Sequence, residues 1–263
     1  MLTDKLILTD ENYFSKEADQ EFLSVSQFKN FKNCEAQAIA KLKGEWIDEE
    51  NTALLVGNYV HSHFENQLDK FKMEHPEIFT KQGELKSQYQ QANKMIQTID
   101  NDEFCKWILE GQSEVIITGE VFGAKWKCKM DRYNLEKERF VDLKTTRSFE
   151  KVYDPRKGCR VSFAEFWGYD IQLAMYREIE AAATGRSNRL TGYIVAVTKD
   201  DYPDKAILSV DLDSINKALK EVEEYVPRIL DLKAGKEIPV SCGKCDYCKS
   251  HKQLDRIVNY KEI

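Results

Sequence analysis

Two aspartates and a lysine near the middle of the chain have the types and spacing of a metal-dependent hydrolytic site. Asp131 lies in a run of alternating apolar and charged residues, and Asp142 and Lys144 follow the polar turn 134–138. In an antiparallel hairpin about that turn, residues whose numbers sum to 273 face each other, which places Asp131 opposite Asp142. Like charges there are destabilising unless something compensates for them. We therefore expect a divalent cation, Mg²⁺ or Mn²⁺, between the two carboxylates.

Metal-assisted hydrolysis of a phosphodiester is the chemistry that these three residues support. The cation would lower the pKa of a bound water and stabilise charge on the leaving oxygen. Lys144 shares a strand face with Asp142, and would lie beside that water or a substrate phosphate. The competing interpretation is that Asp142 and Lys144 belong to a solvated strand edge. No G-x-S-x-G motif is present to indicate Ser-His-Asp chemistry.

Positive charge is concentrated around these carboxylates. The 263 residues include 39 Lys or Arg and 45 Asp or Glu, and a net charge of −6 argues by itself against a polyanionic partner. Residues 123–160, however, contain twelve Lys or Arg and six Asp or Glu, a net of +6. These cations could neutralise phosphates without reading bases, and a solvated charged face is the alternative.

The candidate DNA-contacting residues fall into two groups. The basic ones are Lys125, Lys127, Lys129, Arg147, Lys151, Arg156, Lys157 and Arg160. The aromatic ones, which could stack on unpaired bases, are Tyr153, Phe163 and Trp167.

The elements that must position the site follow from the periodicity of apolar residues. Helical spacing predicts helices from Ser24 or Ser26 to Leu42, from Thr52 to Phe71, over about 84–110, from Phe163 to Ala183 and from Asp213 to Lys233. Strands are predicted from Val115 through the alternating run, at Phe140–Lys144, at Thr191–Thr198 and at Ala206–Val210. This order predicts an α/β (α+β) fold in which helices flank a mixed central sheet.

The chain has no linker or repeat, which favours one domain over residues 1–263. Within it we expect a helical part at 24–110, a catalytic core at 114–211, and a last helix with a cysteine cluster at 213–263. No run of about 18 apolar residues could span a membrane. Charged residues also interrupt the amino-terminal stretch that a signal peptide would need, so we expect a cytoplasmic protein.

Three of the seven cysteines form a C-x-x-C-x-x-C cluster, namely Cys242, Cys245 and Cys248. A reducing compartment argues against disulfides, so the cluster indicates a metal site. Three thiolates leave a closed site one ligand short, so a distant fourth is required. We expect the isolated cysteines Cys105, Cys128 and Cys159 to be packing residues.

Five ordered motifs resemble those of the PD-(D/E)XK superfamily nucleases, and among them the RecB-like and exonuclease VIII-type phage exonucleases. They are GNYVH (57–61), KMDRYN with Asp131, VDLKTT with Asp142 and Lys144, QLAMY (172–176) and the cysteine set. The resemblance implies a restriction-endonuclease-like fold and catalytic roles for His61, Asp131, Asp142, Lys144, Gln172 and Tyr176. It also implies that His61, Asp131 and Asp142 hold the Mg²⁺ or Mn²⁺.

The neighbourhood of His61 contains further candidates. Gly57, His61 and Glu65 lie on one helical stripe, and the small Gly57 would allow another backbone to approach. His63 lies off that stripe and is interpreted as structural or exposed. Glu114 and Glu120, just upstream of the hairpin, could add to the acidic site.

A subset of RecB-like nucleases has one amino-terminal cysteine after an S-x-S opening and three more near the carboxyl terminus. Cys34 follows Ser24 and Ser26 in this way. The resemblance implies that Cys34, Cys242, Cys245 and Cys248 hold a 4Fe–4S cluster that ties the chain ends together. Zinc held by the same four residues, or with His251 in place of one, is the alternative.

The resemblance implies a bacterial or phage-encoded, metal-dependent exonuclease that hydrolyses the ends of linear DNA in phage-type recombination or repair. Duplex ends are the expected substrate, with single strands as another. A single-strand-annealing recombinase as partner and a ring-shaped homo-oligomer are implied in the same way. The alternatives are a CRISPR-adaptation-type iron–sulfur nuclease and a non-catalytic DNA-binding scaffold with the same fold.

Overall fold

The computed structural model describes residues 6–49, 51–254 and 256–262. Residues 1–5, which begin the segment considered for a signal peptide, lie outside the described residues. The helices are α1 (Lys16–Glu21), α2 (Val25–Asn33), α3 (Glu35–Lys43), α4 (Thr52–Phe64), α5 (Leu68–Glu74), α6 (Gln91–Asp100), α7 (Glu103–Ile108), α8 (Phe163–Phe166), α9 (Tyr169–Thr184), α10 (Leu212–Lys233) and α11 (Asp246–Ser250). Short 3₁₀ turns cover Pro76–Ile78, Ser87–Tyr89 and Tyr260–Glu262. The strands are β1 (Gln112–Val121), β2 (Ala124–Asn134), β3 (Arg139–Thr146), β4 (Val152–Asp154), β5 (Cys159–Val161), β6 (Thr191–Thr198) and β7 (Lys205–Leu208).

A mixed sheet forms the centre of the described structure, with five strands in the order β1-β2-β3-β6-β7. Strands β1 to β3 form an antiparallel meander, β6 runs parallel to β3, and β7 is antiparallel to β6. The parallel β3–β6 pair requires a long crossover, which contains α8 and α9. The predicted class, a mixed sheet flanked by helices, is therefore confirmed.

Both faces of the sheet are covered by helices. Because side chains alternate along a strand, Phe140 of β3 enters one apolar cluster and Val141 enters the other. The first cluster contains residues of α2, α9 and α10, such as Phe28, Leu173 and Val226. The second contains residues of α4 and α6, such as Val60 and Met95. Strand β3 is thus held from both sides.

Several predicted helices are interrupted in the structure. The segment predicted from Ser24 to Leu42 is two helices separated at Cys34, which is extended (φ −163°). The one predicted from Phe163 to Ala183 is broken at Gly168, whose φ is 65°. Both halves of each pair face the same core, so apolar periodicity continues across the break and does not reveal it.

Other boundaries also differ from the sequence prediction. The second predicted helix ends at Phe64 and a separate α5 follows. The predicted 84–110 helix is a 3₁₀ turn followed by α6 and α7. Helix α1 and the β4–β5 hairpin were not predicted, because elements this short carry little periodic signal. Among the described residues, no helix is long and apolar enough to cross a membrane.

Candidate active site

One cleft of about 750 Å³ brings together all six residues for which the resemblance implied a catalytic role. Strand β2 contributes Asp131 and β3 contributes Asp142 and Lys144, while α4 contributes His61 and α9 contributes Gln172 and Tyr176. The two strands belong to the meander, and the two helices pack on opposite faces of the sheet. Elements distant in sequence therefore meet at this point.

Asp131 lies where the β2–β3 ladder ends. The recorded pairs, which include Arg132 with Val141 and Tyr133 with Phe140, have the register predicted from the turn. At the next position the Asp131 side chain replaces the backbone as hydrogen-bond acceptor, because its Oδ2 accepts the backbone N–H of Leu143 at 2.7 Å. The same oxygen lies 3.5 Å from Nδ1 of His61. Asp131 thus connects the hairpin to α4.

Asp142 is buried, with 3% of its surface exposed. Its Oδ1 accepts a hydrogen bond from Nε2 of Gln172. Its Oδ2 forms an ion pair with Nζ of Lys144 at 2.6 Å. Among the described residues that oxygen has no hydrogen-bond partner. A buried carboxylate oxygen in this state is suited to bind a cation.

The electrostatics of the cleft favour a bound positive ion. Burial and the nearby charge of Asp142 raise the pKa of Asp131 to about 6. Burial lowers the pKa of Lys144, but the negative charges of Asp142 and Asp131 have the larger effect, so its pKa is raised. For His61, burial is likewise outweighed by Asp131 and Glu65, and the pKa is raised. Two buried carboxylates of the same charge are costly unless a cation lies between them.

The donor atoms fit a hard divalent metal ion. Carboxylate oxygens of Asp131 and Asp142 are the ligands that Mg²⁺ and Mn²⁺ prefer, and Nδ1 of His61 can act as a third donor. The buried Oδ2 of Asp142, which has an ion pair with Lys144 but no hydrogen bond among the described residues, supports this assignment. Lys144 is placed beside such an ion without being a ligand itself.

Helix α4 needs a small residue to approach β3. A Cβ added at Gly57 would lie 3.1 Å from Oγ1 of Thr145, so the close neighbour is a side chain and not the backbone that the sequence suggested. Glu65, one turn after His61, lies 3.7 Å from its Nδ1. His63 is half-buried and lies 3.0 Å from Asp100, outside the cleft.

Of the two upstream glutamates, only Glu114 lines the cleft. Its φ is 55°, an unusual value for a residue with a side chain, and it forms an ion pair with Lys129. Burial raises the pKa of Glu114 to about 7. Glu120 is exposed on the same strand, six residues further along, and does not contribute. Alternation puts both glutamates on one face of β1 and could not separate them, whereas the register places Glu114 level with Asp131 and Glu120 opposite Lys125.

Comparison with known proteins identifies the family. A family model described as a PDDEXK-like domain of unknown function (DUF3799) matches residues 24–251. The chain belongs to this PDDEXK-like family. The crystal structure of a "Putative exonuclease" from Eubacterium rectale is 42% identical, with a TM-score of 0.90 and 98% of each chain covered. The crystal structure of SSO0001 is 16% identical, with a TM-score of 0.31, over 84% of this chain and 90% of that one. No curated protein matches the sequence.

The resemblance to PD-(D/E)XK nucleases is therefore confirmed, but some residues of this PDDEXK-like chain lie elsewhere than expected. Lys127 is buried, 2.7 Å from Asp19, and cannot reach a phosphate. Lys125 is paired with Glu21 at 2.8 Å. Phe163 was expected to stack on bases but is buried in the core. The expectations for Lys127 and Phe163 were wrong, because alternation does not show what covers each side chain, whereas Lys125 stays exposed and is partly neutralised.

Lys129 is half-buried and paired with Glu114, and the other candidate DNA contacts are at the surface. Tyr153 and Trp167 are 58% and 54% exposed and remain available for stacking. Arg156 is paired with Asp154 and Lys157 with Glu165, so both cations are already partly neutralised.

The four cysteines that the resemblance grouped do meet. The sulfurs of Cys34, Cys242, Cys245 and Cys248 all lie within 4.8 Å of one another. Cys34 reaches them from the break between α2 and α3, and its Sγ is 3.5 Å from that of Cys248. His251 is not part of the group, because its ring is exposed and contacts the carbonyl of Tyr247.

The sulfur spacing bears on which metal fits the PDDEXK-like chain. The Cys34–Cys248 and Cys242–Cys248 sulfurs are 3.5 and 3.9 Å apart. Four thiolates around one zinc ion, with bonds of about 2.3 Å, would be about 3.8 Å apart. In a 4Fe–4S cluster each thiolate binds a different iron, so the sulfurs stand farther apart. The distances therefore fit a single ion better, whereas the C-x-x-C-x-x-C spacing itself is typical of iron–sulfur ligation.

The three remaining cysteines are not all buried, as the prediction of packing residues required. Cys105 and Cys128 are buried, as expected for packing residues. Cys159 is exposed, so its assignment to packing was wrong. It lies in β5, part of the hairpin that the sequence did not reveal.

Proposed function

We propose that this chain is a DNA exonuclease that uses Mg²⁺ or Mn²⁺ to hydrolyse phosphodiester bonds at the ends of linear DNA. The observation that carries the proposal is the convergence of Asp131, Asp142 and Lys144 in one cleft, where the buried Asp142 is ion-paired with Lys144. Membership of the PDDEXK-like family supports nuclease chemistry. The description of the Eubacterium rectale neighbour supports action at ends.

Each residue in the cleft has a role that its contacts support. Asp131 and Asp142 hold the ion, with His61 as a third ligand. When bound, the ion lowers the pKa of a water and polarises the phosphoryl oxygen. Lys144 stabilises the charge that develops on the phosphate oxygens, because its ammonium stays protonated beside two carboxylates. Gln172 holds the carboxylate of Asp142 in place through its hydrogen bond.

Tyr176 is proposed to shape the cleft wall. Its ring lies 6.1 Å from that of Phe140, the strand residue two positions before Asp142, and it borders the same cleft as the carboxylates. This packing fixes α9 against β3. The helix that presents Gln172 is thereby held at the correct distance from Asp142.

The biological setting is proposed from the resemblance alone. It supports phage-type recombination or repair, a single-strand-annealing recombinase as partner, a ring-shaped homo-oligomer and a single nuclease domain over residues 1–263. The four-cysteine group favours a second candidate, a CRISPR-adaptation-type nuclease. A non-catalytic scaffold is disfavoured, because it would not need the buried Asp142–Lys144 pair.

We propose that the four cysteines hold a structural metal that ties α3 to the segment before α11. The resemblance supports a 4Fe–4S cluster and the sulfur spacing supports one zinc ion. Protein purified without oxygen and analysed for metals distinguishes them: an iron–sulfur protein is brown and absorbs visible light, whereas a zinc protein is colourless. Protein that contains neither metal in stoichiometric amount would contradict the site.

One experiment tests the proposed activity directly. End-labelled linear DNA and circular DNA of the same sequence are incubated with the protein and Mg²⁺, and in parallel with a chelator. We expect degradation of the linear DNA only, from its ends, and none with the chelator. Circular DNA cut at the same rate would indicate an endonuclease instead.

Matched variants connect that activity to the cleft. Asp142→Asn and Lys144→Met should abolish degradation. Asp213→Asn and Lys217→Met, at exposed positions of α10, should leave it unchanged. Full activity of Asp142→Asn would overturn the assignment of the active site.

A further inference from the structure

Two lysines that line the cleft, Lys29 and Lys144, both approach the ring of Tyr169. Nζ of Lys144 is 5.5 Å from the centre of the Tyr169 ring, and Nζ of Lys29 is 5.7 Å from it. Lys29 comes from α2 and Tyr169 begins α9. Both lysines line the same cleft as Asp142. A second cation is thus held beside the proposed catalytic lysine by an element distant in sequence.

The backbone of the turn before α9 holds the side chain of Lys29 in place. Its ammonium donates a hydrogen bond to the carbonyl oxygen of Trp167 at 3.1 Å. The next residue is Gly168, and a Cβ there would lie 3.0 Å from Cδ of Lys29. Gly168 also has a φ of 65°, which favours glycine. The turn before α9 therefore leaves room for the lysine stem and holds its end.

Lys29 differs from Lys144 in its charge balance. Lys144 is paired with Asp142 at 2.6 Å, whereas in the described part of the chain Lys29 forms no ion pair with a carboxylate. An ammonium has three donors, and the carbonyl of Trp167 is the one acceptor that the described residues provide. Burial and the charge of Lys144 lower the pKa of Lys29 to about 8, and the charges of Asp142 and Asp170 offset only part of this effect.

We propose that Lys29 is a positioning residue that binds a phosphate of the DNA strand next to the one held at Asp142 and Lys144. The inference rests on the proposed nuclease function. An anionic phosphate would form the direct ion pair that Lys29 lacks among the described residues and accept the other donors of the ammonium. Lys144 is held at Asp142 and Lys29 at the carbonyl of Trp167, so we assign the two lysines to neighbouring phosphates and not to the same one. The contact is to the backbone and should not depend on the base sequence.

The helix offers a matched control. Lys32, one turn after Lys29, is paired with Glu221 of α10 at 3.2 Å and does not line the active cleft. Lys29→Gln removes the charge with a side chain of similar length, Lys29→Arg keeps the charge, and Lys32→Gln tests a cation of the same helix outside the cleft.

The test measures KM and kcat for linear DNA at several salt concentrations. For Lys29→Gln we expect KM to rise about tenfold with little change in kcat, and the slope of log(kcat/KM) against log salt to become less steep by about 1. Lys29→Arg should stay close to the native protein in both measures, and Lys32→Gln should not differ from it. A structural role would not change the salt slope.

Two outcomes would overturn the inference. One is a native KM and salt slope in Lys29→Gln. The other is an equal loss of kcat and thermal stability in Lys29→Gln and Lys29→Arg, which would indicate that the lysine only supports the turn at Trp167. If the native protein degrades no DNA, the proposed function fails first. Equilibrium binding of fluorescent DNA to the native protein and Lys29→Gln then decides the inference by the same salt slope.

Discussion

The carboxylate of Asp131 accepts the backbone N–H of Leu143 at 2.7 Å, the residue between Asp142 and Lys144. The hydrogen bond lies where the recorded β2–β3 pairing stops, beyond Arg132 and Val141. A proposed metal ligand thus also closes the hairpin that carries the other two proposed catalytic residues. Changes at Asp131 should therefore affect both the strand geometry and the chemistry.

Substitutions at Asp131 should separate these two effects. Asp131→Ala leaves the amide of Leu143 without its acceptor and should destabilise the protein by about 1–2 kcal/mol. Asp131→Asn keeps an oxygen there and removes the repulsion from Asp142, so its stability should equal or exceed that of the native protein. Both should lose nuclease activity at least about 100-fold, because a metal ligand is lost. Urea unfolding and a nuclease assay measure the two effects, and an active Asp131→Asn would contradict the ligand assignment.

Gln172→Leu should weaken metal binding without removing a ligand. Its amide donates to Asp142, and groups that orient metal ligands commonly contribute about 10- to 100-fold in metal affinity or activity. We expect the Mg²⁺ concentration for half-maximal activity to rise within that range. Gln97→Leu, an exposed glutamine of α6, is the control. An unchanged Mg²⁺ requirement in Gln172→Leu would show that the hydrogen bond has no role in holding the ion.

Cys34→Ser should release the bound metal from the cysteine site. The other three cysteines lie within seven residues of one another, so the loss of Cys34 also breaks the connection to the rest of the chain. We expect lost metal, a lower Tm and faster hydrogen exchange in residues 241–254, measured by metal analysis, calorimetry and mass spectrometry. The exposed Cys159→Ser should keep its metal. Stoichiometric metal in Cys34→Ser would exclude Cys34 as a ligand.

Glu35 makes the docking of the chain end dependent on pH. Hydrogen bonds from Arg228, together with those from Val240 and Tyr225, lower the pKa of Glu35 to about 2 against an ordinary 4.5. The unfolded chain therefore takes up its proton at higher pH than the folded one. The stabilisation is complete above about pH 4.5 and is lost as the pH falls towards about 2.

Glu35→Gln tests this dependence. It should destabilise the protein by about 2 kcal/mol at pH 7, because the hydrogen bonds to a charged group are lost. The difference from the native protein should shrink between pH 4.5 and 2. Urea unfolding after treatment with a chelator measures it without a contribution from metal release, and Glu223→Gln, at an exposed position of α10, is the control. A difference that is equal at pH 7 and pH 3 would contradict the assignment.

Local patterns predicted the sheet better than the helices. The turn length and the alternation of β2 predicted the register in which Tyr133 pairs with Phe140. They did not predict the break at Cys34, because apolar residues on either side of an extended residue can still face one core. The exposure of Cys159 was missed for a similar reason, since three-residue strands such as β5 leave no periodic pattern.

The sequence by itself determined the carboxylate pair, its lysine, the three clustered cysteines and, through family motifs, the other candidate ligands. The carboxylates, the lysine and the three cysteines are close along the chain or across one tight turn, where geometry leaves few arrangements, whereas His61 and Cys34 came from the motifs alone. Only the tertiary structure decided that His61 approaches Asp131 and that Gln172 donates a hydrogen bond to Asp142. It also decided that Lys29 and Lys144 both approach the ring of Tyr169. Such contacts depend on how α2, α4 and α9 pack on the sheet. Burial of apolar side chains drives that packing, and it is not directional, so no local pattern specifies it.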